Sequence, residues 1–117
     1  MGKTLQPMIT IIVLFAVGAV FGLTLILPIL QGKTPSRAFV FIHGGVAAVA
    51  LVLLIVRYMN EAGAVPVSSL ALFVIAALGG FVLVTQDLQK KPVPKALAVV
   101  HAGAALVAFL ILLFTVL

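Results

Sequence analysis

The chain has 117 residues, of which 65% are hydrophobic and only 8% charged, with a mean hydropathy of +1.45. That composition excludes an ordinary soluble domain and leaves an integral membrane protein. The absence of cysteine excludes disulfides, thiolate metal sites and dithiol redox chemistry. The net charge of +5 sits at the ends of apolar runs and reads as a topology signal, not as a nucleic-acid footprint.

Four uncharged runs follow one another: residues 4–32 (29 residues), 38–56 (19), 62–86 (25) and 96–117 (22). About 20 apolar residues carry a helix across the hydrocarbon core, and a backbone in lipid must satisfy its own hydrogen bonds. Each run therefore predicts one transmembrane helix. The first is expected over residues 8–31. Its apolar stretch exceeds the h-region of about 7–15 residues found in a removable signal peptide, and Pro28 is expected to bend its end. The second is expected over 36–58, entered through Pro35. A turn at Asn60-Glu61-Ala62-Gly63 leads to the third, over 66–87, with Pro66 at its start. The fourth, over 94–116, starts at Pro94. The fold class is thus all-α: a single membrane domain spanning residues 1–117, built as a four-transmembrane-helix bundle. Lys33, Arg37, Lys90, Lys91 and Lys95 lie in the first and third connections, whereas Lys3 and Arg57 lie at the other end. The positive-inside tendency predicts that these two connections face the cytoplasm and both termini face outward, in a plasma (inner) membrane.

The bundle is written as two tandem helical hairpins. A gapless shift of 58 positions aligns residues 14–54 with 72–112, with 15 of 41 positions identical. Apolar composition alone does not pair the scarce residues Gln31 with Gln89, Lys33 with Lys91 and His43 with His101; Arg37 against Lys95 is a conservative match. Each copy holds two crossings, so the copies share one orientation and are related by an approximate twofold axis along the membrane normal.

His43 and His101 then fall at one depth, each six residues after its basic connection and so about 10 Å inside it. Ionisable residues within a membrane are costly and mark candidate functional sites. Each histidine shares a helical stripe with small residues: His43, Ala47, Ala50 and Leu54, repeated as His101, Ala105, Ala108 and Leu112. The first and third helices carry Phe15, Ala19 and Gly22, repeated as Phe73, Ala77 and Gly80. Small residues there allow either close helix approach or room for a flat ligand.

Zinc needs three or four protein ligands, more than two histidines supply. Haem brings four nitrogens of its own and needs one or two axial ligands, which His43 and His101 can provide from opposite sides of the axis. The macrocycle would meet Gly22, Gly80, Ala47 and Ala105, and its propionates would reach Arg37 and Lys95, with Lys33 or Lys91 beyond.

On these two histidines and the four-helix layout, the chain resembles the small membrane-embedded b-type cytochromes, in particular the cytochrome b561 group. The four-helix core of that group holds haem between histidines of its second and fourth helices. The resemblance is one of layout over the whole chain. It implies one haem b per chain with His43 and His101 as its ligands. That group usually offers two histidines on each of these helices, and one apiece here implies a single haem near one face. The activity implied is one-electron transfer as an oxidoreductase component, with a quinol or a small redox partner as donor. Bis-histidine ligation leaves the iron no open position for oxygen chemistry. Two other classes stay open: a haem-free helical scaffold or assembly subunit, and a small transporter, although small multidrug exporters depend on an acidic residue in the first helix and residues 5–31 contain none. The lipid bilayer is the expected partner in every case, nucleic acid in none, and a homo-oligomer is compatible with each.

Overall fold

A computed structural model describes residues 2–117, with side chains from Leu5 onward, so the side chain of Lys3 lies outside the described residues. Four long helices follow in chain order: α1 (Gly2–Leu30), α2 (Arg37–Asn60), α3 (Val67–Leu88) and α4 (Lys95–Phe114), with a single 3-10 turn at Ala62–Ala64 between α2 and α3. All four are long and apolar enough to cross a membrane. They run side by side in a bundle of 47 × 21 × 21 Å.

The helix ends follow from local chemistry. α1 begins earlier than the sequence predicts and keeps Pro7 inside it; so near the start, the missing N–H removes only one rung of the ladder. α1 also continues through Pro28 to a tight stop. There Lys33 N–H donates to the Pro28 carbonyl at 2.8 Å and Gly32 N–H to the Ile29 carbonyl at 3.0 Å, with Gly32 at φ 75°. α3 closes in the same way 58 residues later: Lys91 N–H donates to the Gln86 carbonyl and Lys90 N–H to the Asp87 carbonyl, both at 3.0 Å, with Lys90 at φ 57°. Both are Schellman caps, whose left-handed residue is ordinarily glycine. The repeat thus extends to backbone conformation even where Lys90 stands in place of glycine. The starts differ. Ser36 caps α2 by accepting from Phe39 N–H at 3.4 Å, whereas Pro94 at the head of α4 offers no side-chain cap.

α1 lies beside α2 and α4, and α3 beside α4 and α2, with closer packing inside each hairpin than between hairpins. The diagonals of this square, α1 to α3 and α2 to α4, are bridged only by side chains. Phe15 and Phe73 stack across the first, with ring centroids 3.9 Å apart and planes 7° from parallel. The continuous core occupies the half of the bundle away from the basic connections, where Ile11, Phe15, Ala50, Leu54, Phe73, Ala108 and Leu112 are buried. Ser69, fully buried in the same half, ties α3 to α4 by donating to the Ala108 carbonyl at 2.8 Å.

On α2 and α4 the inward stripes run as the sequence predicts, through His43, Ala47, Ala50 and Leu54 and their repeats. On α1 and α3 they are displaced by one residue after the phenylalanine: Gly18 and Ala76 are buried, whereas Ala19 is exposed and Ala77 half-buried. Near-parallel helices keep their seam inward with alternating steps of three and four, so the run is Ile11, Phe15, Gly18, Gly22 and Leu25.

Candidate functional site

Two turns above the Phe15–Phe73 stack the core gives way to the histidine layer. His43 on α2 and His101 on α4 meet across the second diagonal, with ring centroids 6.2 Å apart and planes crossed at 84°. Each ring is held by the first helix of its own hairpin. His43 Nδ1–H donates to the Gly18 carbonyl at 2.8 Å, and His101 Nδ1–H donates to the Ala76 carbonyl at 2.6 Å. Gly18 and Ala76 are themselves 58 positions apart, so the repeat carries ring, acceptor and geometry together.

A main-chain carbonyl only accepts, and this places a proton on Nδ1 of each ring, so a metal could be met only by Nε2. The hydrogen bonds of both rings among the described residues run through Nδ1. Such an anchored imidazole is how metal-binding histidines are oriented. The two rings meet edge to face, and their 6.2 Å spacing is that of a direct ring contact.

Gly22 and Gly80 lie against these rings. A Cβ on Gly22 would stand 3.1 Å from His43 Cε1, and one on Gly80 would stand 3.2 Å from His101 Cε1. Their small size is therefore used first to seat the imidazoles. Ala47 and Ala105, half-buried, sit one turn deeper on the histidine helices.

Toward the basic connections, about two turns above the histidines, the two Schellman turns and the starts of α2 and α4 frame a half-open cavity of about 480 Å³ whose cations are exposed. Lys33, Arg37, Lys90, Lys91 and Lys95 line it together with Asp87. Arg37 reaches across from α2 to α3, with Nε 3.8 Å from Asp87 Oδ2 and one terminal nitrogen donating to the Asp87 carbonyl at 3.4 Å. Asp87, only 8% exposed, sits at the negative end of the α3 dipole, where a carboxylate is disfavoured without a cation. The first hairpin has Ile29 at this position, so Lys95 faces no equivalent carboxylate. The sequence shows Asp87 as a polar residue near a connection; its burial under Arg37 becomes visible only once α2 and α3 are packed.

Among the described residues no three or more His, Cys, Asp or Glu side chains gather into a protein-only metal site. Two imidazoles are fewer ligands than a protein-only zinc site needs. No known protein family, curated protein or solved structure matches the chain.

Proposed function

We propose that the chain is a haem b-binding membrane protein that carries single electrons, with one haem held between His43 and His101. The observation that carries this reading is the pair of imidazoles across the bundle diagonal, 6.2 Å apart, each with Nδ1–H tied to a main-chain carbonyl. Haem held there by His43 and His101 would supply a reversible one-electron couple. The chain's own residues do the rest. The Gly18 and Ala76 carbonyls orient the rings, Gly22 and Gly80 seat them, and Ala47 and Ala105 keep the layer beneath small and apolar. Arg37 and Lys95, at the heads of the two histidine helices, are the cations nearest for the propionates. The stacked phenylalanines and the core below exclude water from the deep side.

In this reading the basic connections lie on the cytoplasmic side of the plasma membrane, where a quinol or a small redox protein would be the electron donor. A haem-free scaffold is the second reading. It draws on the same Nδ1–carbonyl bonds, taken as struts between helices, each worth about 0.6 kcal/mol in a membrane bundle. Haem titration of purified protein separates the two. The expected outcome is one haem per chain with the sharp reduced bands of bis-histidine ligation, absent from His43→Ala and His101→Ala. Protein that takes up no haem, or takes it up equally in both variants, contradicts the proposal and favours the scaffold.

A further inference from the structure

The cavity between the two connections holds more positive charge than the proposed haem can use. Its five cations face one carboxylate, Asp87, an excess of four charges, and two propionates would still leave two. The excess does not rest on the haem reading, because without propionates it is larger. We infer that this cavity is a binding site for a phosphate-class anion, supplied by the headgroup of an anionic phospholipid.

Three features support that chemistry. Lys33 and Lys91 occupy equivalent places in the two Schellman turns, so they approach the cavity from opposite sides of the pseudo-twofold axis as point charges suited to a tetrahedral anion. α2 and α4 both begin at the cavity wall, with Arg37 and Lys95 as their first residues, and bring two positive dipole ends to it. Pro94 leaves the first turn of α4 without a side-chain cap, so its N–H groups are available to an anion. The cavity also lies at the ends of the four apolar spans, where headgroup phosphates would sit, and basic pockets between transmembrane helices are suited to anionic lipids.

The test is native mass spectrometry of the full chain with whatever haem it carries, titrated with phosphatidylglycerol, phosphatidylcholine and inorganic phosphate. The expected result is one phosphatidylglycerol held in preference to phosphatidylcholine, with affinity reduced about tenfold or more in Lys33→Gln/Lys91→Gln, as expected when two surface cations are removed. Lys33→Arg/Lys91→Arg should retain binding, which shows that the first pair of substitutions acts through charge and not through misfolding. Gln31→Glu/Gln89→Glu lowers net charge by the same amount at the same end without touching a cavity-lining residue, and should also retain it. Phosphate that competes with the lipid supports the shared chemistry. Phosphate binding without lipid binding keeps the anion site but overturns the headgroup as its source. The site itself is overturned if neither binds selectively, or if the glutamate pair weakens binding as much as the glutamine pair, since attraction is then diffuse.

Discussion

At the scale of single residues, the site depends on glycines whose missing side chains are already spoken for. Gly22→Ala and Gly80→Ala each push a methyl to within 3.1–3.2 Å of an imidazole carbon. The ring must give by a few tenths of an ångström, which strains its bond to the carbonyl. Overpacking of this kind costs about 1–3 kcal/mol, which would weaken the proposed haem binding by about 5- to 150-fold if it falls wholly on the bound state. Gly45→Ala and Gly103→Ala meet nothing within 4 Å and should leave haem titration unchanged, so equal losses in all four variants would contradict the seating role. Arg37 and Lys95 are matched by the repeat but not by environment. Removing Arg37 leaves Asp87 buried without its cation, so thermal melting in detergent should show Arg37→Ala to be the more damaging change; equal effects would mean that the 3.8 Å pair contributes nothing. The meeting of His43 with His101 was legible in the sequence, because His, Lys and Gln are scarce there and their recurrence at one offset stands out; Gly22 and Gly80 were read from the helical stripes as close packing or room for a ligand, and they lie against the imidazoles. The acceptors at Gly18 and Ala76 were not legible, since a main-chain carbonyl leaves no trace in residue identity.

At the scale of elements, both hairpins close on a left-handed residue, and only one of them is glycine. Lys90 at φ 57° carries strain that glycine lacks, so Lys90→Gly should stabilise α3 by about 1 kcal/mol, read as a higher unfolding midpoint. An unchanged or lower midpoint would show that the charge of Lys90 matters more than its backbone. Ser36→Ala removes the cap of α2 and should cost about 1 kcal/mol. Helix number, order and approximate ends followed from run lengths and prolines. The early start of α1 did not, because Pro7 looks like a boundary when only local preference is considered, and the displaced stripe through Gly18 and Ala76 depends on how near-parallel helices keep their seam inward.

At the scale of the whole molecule, the bundle is divided by depth. One half is a filled core around the Phe15–Phe73 stack; the other holds two anchored imidazoles beneath a basic cavity. Leu54→Ala or Leu112→Ala, each in a fully buried position, should cost about 2–5 kcal/mol while leaving the visible spectrum of folded protein unaltered. A changed spectrum at full folding would show that the two halves are coupled. The twofold arrangement was readable from the 58-residue offset, but which diagonal each pair bridges required the packed helices. The central claim is that His43 and His101 share one iron. Low-temperature electron paramagnetic resonance of the purified ferric protein tests it most directly. Rings crossed at 84°, if both hold the iron, predict a single low-spin haem with a strongly anisotropic signal, lost in either histidine variant. A high-spin signal, a low-spin signal that survives loss of one histidine, or no haem iron at all would contradict the account.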